Sequence, residues 1–324
     1  MYAFLLSGEN IDLAKEEVLA LSKANSFYLD ERFLVANCKK FDFSKLAFTQ
    51  KVYNLIDKVN SIQEINKINF QKYYREDFRV RLYKLPNNLD LDLGYDEPYF
   101  GSLIWSKLKK PKVDIENAKT KFDFVFTKNN IYICLELREI KRGSIRERDA
   151  KFRPGFHPST MNGLFARALV NLSGIKKNQK LLDPFCGVGA ILIEAGLMNC
   201  NVIGYDLDND MVIKCKQNLK FYKIKNFRVD KCDALKIKGV KVDAVVTDPP
   251  YGRRSSLHGN DINYLYNESI KKSFNMLKEG GVLVIVMPSN LEVIYKNFKL
   301  ITQLYHRVHK GLTRKILVLK KLNS

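Results

Sequence analysis

No apolar run in this 324-residue chain is long enough to cross a bilayer, and the opening MYAFLLSGENID has neither the basic start nor the long apolar centre of a secretion signal. The expectation is an intracellular, cytoplasmic chain with no membrane partner. Cysteine is sparse: Cys38, Cys134, Cys186, Cys200, Cys215 and Cys232 form no C-x-x-C pair, and no histidine stands at zinc-ligand spacing from them. Nothing indicates a disulfide framework or a metal, so buried free thiols are expected. Acid is also short. The chain carries 35 Asp and Glu against 55 Lys and Arg, a net charge of +20. Such an excess points to a polyanionic partner, nucleic acid or an anionic surface. A lysine-rich proteome would raise the same count, so the placement of the charges has to decide.

At about twice the usual domain size, the chain is read as several units. Residues 1–60 form a small α+β unit, with a strand at Tyr2–Leu6, a helix at Ile11–Ala24, a strand at Phe27–Cys38 and helix or mixed structure over Phe43–Val59. Residues 61–138 form a second unit. It contains the alternating strand Phe78–Tyr83 and a hairpin of Phe122–Phe126 and Ile131–Leu137 around Lys128-Asn129-Asn130. The arginine-rich stretch 139–155 is read as a linker. From 156 to 324, strands at Lys180–Leu182, Val202–Tyr205, Phe227–Val229, Ala244–Thr247 and Val282–Met287 alternate with helical stretches, the pattern of an open parallel α/β sheet. Ile301–Tyr305 and Arg314–Leu319 close it as an antiparallel hairpin.

In KLLDPFCGVGAILIEA an apolar strand ends in Asp183, turns on Gly187-x-Gly189 and enters a helix. Glycines there let backbone pass close to a ligand at the sheet edge, where open α/β folds bind cofactors. A G-x-G alone is weak evidence, and a carboxylate at the strand end would repel a pyrophosphate. Asp183 suits an amino-bearing ligand. The next strand ends in Asp206, where a ribose-binding acid belongs, with Asp208 a second candidate; the third leads to Asp233-Ala234, able to accept from an adenine amine. The ordered set fits S-adenosylmethionine, which has an ammonium, a sulfonium, a ribose and an adenine but no phosphate. Candidate cofactor residues here are Asp183, Phe185, Gly187, Gly189, Asp206, Leu207, Asp208, Asp233 and Ala234. The bland alternative is that these acids only cap helices.

A fourth strand runs into Asp248-Pro249-Pro250-Tyr251. Two prolines cannot continue a central strand, so a stiff loop must present Asp248 and Tyr251. An exocyclic base amine is a poor nucleophile because its lone pair is delocalised into the ring. Asp248 and a carbonyl of the Pro249-Pro250 turn can accept its N–H bonds while Tyr251 stacks on the base, which makes these four the candidate catalytic residues. Most of the catalysis would be positioning.

From these motifs the third unit resembles the class I methyltransferases that modify amino groups, whose active-site motif is (D/N/S)-P-P-(Y/F/W). More narrowly, Arg153–Met161, Phe165–Leu172, Asp183–Gly189 and Thr247–Gly252 resemble the archaeal tRNA (guanine(10)-N2)-methyltransferases. The resemblance implies a Rossmann-like class I catalytic domain, a seven-stranded sheet with a terminal antiparallel hairpin, preceded by a ferredoxin-like domain (1–60) and a THUMP domain (61–138). It further implies that His157, Pro158, Ser159 and Met161 line the methionine end of the cofactor or the target pocket, that tRNA is the partner, and that a small zinc-binding activator protein assists an otherwise monomeric enzyme. Arg79–Lys84, Lys112–Asn117 and Ile131–Leu137 fit the THUMP pattern. Ala118 departs from it, since a proline usually follows that asparagine, and Val188 and Ala190 stand where Thr and Gly are commoner. Both are small enough for the cofactor site to survive.

Lys107–Lys112, Arg138–Arg153 and Arg253-Arg254 flank the second unit and the active loop, which favours a phosphate-tracking surface over scattered solvated charge. The expected activity is methylation, once or twice, of the N2 amine of guanosine 10 in tRNA. Its rivals are an N2-guanosine methyltransferase for another tRNA position, a DNA adenine methylase, for which no target-recognition domain is evident, and a non-catalytic RNA-binding protein.

Overall fold

A computed structural model describes residues 1–89, 95–158, 160–251, 262–309 and 311–322. The chain forms two compact units whose sequences interleave: Met1–Ile11, Ser22–Ser44 and Thr49–Ile140 make the first, while Asp12–Leu21, Lys45–Phe48 and Lys141–Ser324 make the second. Helix α1 (Ile11–Ser22) therefore counts with the second unit almost whole.

The first unit is built on one seven-stranded sheet. Its strands are β1 (Tyr2–Leu6), β2 (Ser26–Asp30), β3 (Phe33–Asn37), β4 (Thr49–Val59), β5 (Phe78–Lys84), β6 (Thr120–Phe126) and β7 (Ile131–Glu139), in the order β2-β3-β1-β4-β7-β6-β5. All neighbours are antiparallel except β5 and β6. Helices α2 (Ile62–Ile65) and α3 (Glu97–Trp105) join a core of Phe70, Phe78, Phe100, Phe122 and Phe124. Two expectations change here. Phe27–Cys38 is a hairpin rather than one strand, turning where Glu31 takes φ +56. Phe43–Val59 is a short 3-10 turn at Phe43–Lys45 followed by the strand β4. Pairing with β1 on one side and β7 on the other overrides the mixed local propensity.

The second unit holds a mixed seven-stranded sheet. Its strands are β8 (Lys180–Asp183), β9 (Asn201–Asp206), β10 (Phe227–Lys231), β11 (Val242–Thr247), β12 (Leu277–Pro288), β13 (Phe298–His309) and β14 (Leu312–Lys321), ordered β10-β9-β8-β11-β12-β14-β13. The first five in that order run parallel, and β14 alone runs against them, antiparallel to both of its neighbours, β12 and β13. Leu181, Leu182, Val245, Val246, Val284 and Ile285 are fully buried, which is why these strands read as unbroken apolar runs. The crossover helices are α6 (Ala190–Leu197), α7 (Asn209–Phe221) and α8 (Ile262–Met276), while α4 (Arg142–Arg146) and α5 (Gly163–Leu172) precede the sheet. From β8 the chain winds outward through β9 to β10, then returns to lay β11 on the other side of β8. That reversal opens a crevice beyond the carboxyl ends of β8 and β11, the usual ligand position in such sheets.

Glu17 of α1 fastens the early segments into this unit. Fully buried, it accepts hydrogen bonds from the Ala47 and Phe48 N–H groups at 2.9 and 2.8 Å and from Asn171 Nδ2 at 2.7 Å. Burial raises its carboxyl above the ordinary value. The stretch 139–155 belongs to the second unit from Lys141 on and carries α4 and a 3-10 turn at Ala150–Phe152. Its arginines divide. Arg146 is exposed, whereas Arg148 points inward and binds Glu194 through Nε and Nη2 at 2.7 and 2.8 Å, and Arg153 is only 4% exposed. Arg148 and Arg153 are thus structural cations, not part of the basic surface expected of that stretch. Among the described residues no helix is long and apolar enough to cross a membrane, and no cluster of three His, Cys, Asp or Glu side chains is placed to hold a metal.

Candidate active site

Asp183 ends β8 with its side chain buried. Its Oδ1 accepts two hydrogen bonds, from Thr247 Oγ1 at 2.7 Å and from the Phe185 N–H at 3.1 Å, so the last residue of β11 is tied to the last residue of β8 across the crevice. No described residue donates to its Oδ2. Loss of solvent, reinforced by the charges of Asp206 and Asp248, pushes this carboxyl up to about 7, against the two hydrogen bonds that favour ionisation.

The turn after β8 takes its shape from two glycines. Gly187 adopts φ +47, and a Cβ there would meet nothing within 4 Å, so this backbone faces open space. Gly189, at φ +91, is the N-cap of α6, and a Cβ there would lie 2.6 Å from Cys215 Sγ. The first glycine leaves room beside the loop, and the second lets the loop close on α7. Val188 and Ala190 are buried. Asp206, ending β9, accepts from the Gly187 N–H at 2.8 Å through Oδ2 and from the Asp208 N–H at 3.0 Å through Oδ1, which pins the glycine loop to the neighbouring strand. Asp208 is the N-cap of α7, its Oδ1 accepting from the Asp210 N–H. Asp233 follows β10 by two residues and caps the 3-10 turn Ala234–Lys236 through the Leu235 N–H. Leu207 is exposed, Phe185 half-buried and Ala234 buried.

The stretch before α5 is moored by a residue that lies in none of the motifs. Asn218 of α7 is fully buried; its Nδ2 donates to the carbonyls of Gly155 and Val188, and its Oδ1 accepts from the Gly155 N–H. One amide thereby holds residue 155 against the glycine loop. Downstream, His157 is half-buried, Pro158 exposed and Met161 buried. Ser159 and Arg253-Arg254 lie outside the described residues.

Beyond β11, Asp248 keeps 16% of its side-chain exposure and Pro249 is buried. The Tyr251 hydroxyl donates to Asp248 Oδ1, and the Tyr266 hydroxyl of α8 donates to the Pro249 carbonyl at 2.9 Å. The loop is therefore held at both ends of its first dipeptide. Burial raises the Asp248 carboxyl, while the Arg314 charge and the Tyr251 hydroxyl work the other way; Tyr251 and Tyr266 are both pushed far above their ordinary values by loss of solvent. Arg314 of β14 lies with Nη2 3.7 Å from Asp248 Oδ2 and its guanidinium over the rings of Tyr251 and Phe165. Arg314, Tyr266 and Asn218 were all missed by motif reasoning, since none sits in a recognisable pattern.

A parallel sheet reversed at β8, an antiparallel final hairpin, and carboxylates at successive strand ends define a class I Rossmann-like methyltransferase. A family model described as an RMKL-like methyltransferase domain matches residues 150–316. The tRNA (guanine(10)-N2)-dimethyltransferase of Methanothermobacter thermautotrophicus is 37% identical over 260 residues, covering 79% of this chain and 76% of the relative. That of Pyrococcus abyssi is 30% identical over 324 residues, covering 94% of each chain. The chain belongs to the family of the tRNA (guanine(10)-N2)-dimethyltransferases. A second family model, described as DNA methylase, matches residues 6–216 and ends before Asp248. Among solved structures, TrmN from Thermus thermophilus shares the fold at a TM-score of 0.54 and 17% identity over 99% of both chains. A putative methyltransferase complexed with SAH superposes at 0.51 with 12% identity, covering 100% of this chain and 98% of the other.

Proposed function

We propose that the chain transfers methyl groups from S-adenosylmethionine to the exocyclic N2 amine of guanosine 10 in tRNA, adding two. The observation that carries this reading is the Asp248-Pro249-Pro250-Tyr251 loop beside the Asp183 crevice, in a chain alignable over 94% of its length with a dimethyltransferase of that name.

The residues fit the cofactor. Asp183 is a buried carboxylate with an oxygen that no described residue serves, suited to the ammonium of an amino acid, and the bare side of Gly187 leaves space beside it. The two oxygens of Asp206 each accept one backbone N–H and retain a lone pair for ribose hydroxyls. When bound, S-adenosylmethionine would supply a methyl group on a sulfonium: the amine nitrogen would form the new bond, the carbon–sulfur pair would stay on sulfur, and the proton released from the amine would pass to Asp248 or to water. Asp248 and the second lone pair of the Pro249 carbonyl accept the two N–H bonds of the amine. This holds the nitrogen lone pair toward the methyl group, and a Tyr251 ring against the base adds stacking worth about 1–3 kcal/mol.

In the same reading residues 61–138 are the THUMP domain and 1–60 a ferredoxin-like domain, with 139–155 leading into the catalytic domain at 156–324. The exposed cations at Lys109, Lys110, Lys112, Arg138 and Arg146 track tRNA phosphates. His157, Pro158 and Met161 border the methionine end of the cofactor or the target pocket. The enzyme works in the cytoplasm as a monomer, assisted by a small zinc-binding activator. Removing guanosine 10 from its stack costs a few kcal/mol, which extended phosphate contacts offset.

The test is incubation of the purified chain with labelled S-adenosylmethionine and unmodified tRNA, followed by mass-spectrometric mapping of nucleosides. N2,N2-dimethylguanosine at position 10 is expected. Methyl at another guanosine would favour a different tRNA site, and incorporation only into duplex DNA would overturn the tRNA reading.

A further inference from the structure

Arg314 comes from the antiparallel hairpin, far in sequence from every motif, yet it reaches the active loop. Its side chain is 13% exposed, and its Nε is buried with no hydrogen-bond partner among the described residues. Two rings hold it: the guanidinium carbon lies 5.4 Å from the centroid of Phe165 on α5 and 5.7 Å from that of Tyr251. Phe165 is itself fixed by His306, stacked at 4.4 Å and 17°, and His306 pairs with Arg314 across the β13–β14 ladder. Phe48 adds an edge contact to His306 at 6.4 Å. A cation clamped in this way has little freedom to leave.

The spacing to Asp248 is informative. At 3.7 Å from Oδ2, Nη2 is too far for a strong hydrogen bond but close enough for its charge to act in a site with little water. A direct bidentate pair would occupy the carboxylate oxygens that the target amine needs; a charge held slightly back leaves them free to accept. We infer that Arg314 is the positioning residue of the reaction: clamped between Phe165 and Tyr251, its guanidinium fixes the Asp248 carboxylate as the acceptor for the target amine. The inference rests on the function proposed above.

The groups that face Asp248 are Tyr251 from its own loop, Arg314 from β14, Asp183 from β8 and Tyr266 from α8. Burial favours the protonated carboxyl, and a protonated Asp248 would present a donor where an acceptor is needed. Arg314 is the one cation in that set.

The test compares wild type, Arg314→Met and Arg314→Lys. Methionine preserves much of the stem packing and removes the charge, and lysine keeps the charge without the planar fork. Two quantities are read: the titration of the Asp248 carboxyl carbon by NMR with labelled aspartate, assigned by its absence in Asp248→Asn, and the pH profile of methyl transfer to tRNA. In Arg314→Met the carboxyl midpoint should rise by about one unit or more, and the acid limb of turnover should move with it. S-adenosylmethionine affinity, the check on folding, should hold within about twofold if charge at Asp248 is all that changed. Arg314→Lys should return both midpoints toward wild type. An unshifted carboxyl in a cofactor-binding Arg314→Met, or a loss of turnover equal at all pH values, would overturn the inference. A shifted carboxyl in a protein whose wild type transfers no methyl to tRNA would uphold the Arg314–Asp248 coupling and remove the tRNA reading instead.

Discussion

Replacing Asp183 by asparagine should make the protein more stable at pH 8 and worse at holding its cofactor. Burial lifts this carboxyl from 3.8 to about 7 in the folded chain. Well below pH 3.8 it is protonated whether the chain is folded or not, so it contributes no difference. As pH rises, the unfolded chain gives up the proton first, and stability falls until about pH 7, beyond which the loss is complete and constant. Each unit corresponds to 1.36 kcal/mol, so the full loss is roughly 4 kcal/mol, of which somewhat less than half is already present at pH 5. Asparagine carries no such charge. Its Oδ1 can keep the bonds from Thr247 and Phe185, while an Nδ2 without an acceptor costs about 1–3 kcal/mol. The net gain should be near zero at pH 5 and about 1–3 kcal/mol at pH 8. Thermal unfolding of the ligand-free protein reads this as a transition raised by roughly 2–6 °C at pH 8 and little changed at pH 5. Calorimetric titration should show S-adenosylmethionine binding weakened roughly 10–100-fold, the range for losing a hydrogen bond to a charged group. A gain of the same size at both pH values would refute the account of the carboxyl, and unchanged cofactor affinity would refute its role.

Asp248→Ala should bind the cofactor normally and lose turnover by about 100-fold or more, since it removes the main acceptor for the target amine; near-normal single-turnover rates would contradict that role. Gly189→Ala must place a methyl 2.6 Å from Cys215 Sγ at φ +91, so denaturant unfolding should show a loss of about 1–3 kcal/mol, and a variant as stable as wild type would mean that the loop is less tightly closed than it looks. Glu194→Gln leaves Arg148 and Arg167 without a charged partner in a fully buried position, and a loss of about 3–5 kcal/mol is expected by the same measurement.

The catalytic sheet was legible because its parallel strands are buried on both faces and so stand out as apolar runs between polar turns. Their observed ends lie within two residues of those expected, except that β12 begins five residues earlier than expected, at Leu277. Asp183 and the Asp248 loop were legible for a different reason, as acids where an apolar strand stops. β4 was not, and the cause is local: its pairing with β7 slips between Val52 and Tyr53 and again between Leu55 and Asp57. Each slip breaks the alternation that would mark a strand. Arg314 was hidden because the groups its guanidinium meets, Phe165 on α5 and Tyr251 and Asp248 on the active loop, lie far from it in sequence. Arg148 was misplaced because an arginine-rich stretch reads the same whether its side chains face water or, as here, a buried glutamate.

The interleaving of the two units bears on how the protein can be made. Translation delivers α1 first, but the Asn171 amide that helps to satisfy the buried Glu17 carboxylate belongs to α5, some 150 residues later on the ribosome. Domains often fold in order as they emerge. Here the earliest helix can meet the Ala47 and Phe48 N–H groups early, but its acid lacks the Asn171 amide until the methyltransferase half begins to appear. Cutting the chain at residue 140 therefore does not free a complete catalytic half. It discards α1 and Lys45–Phe48, and the fragment should expose Asn171 and the edge of His306 that Phe48 covers, and be recovered with a loosened fold, as protease sensitivity around α5 would reveal. A fragment as protease-resistant as the whole chain would show that those early segments are dispensable.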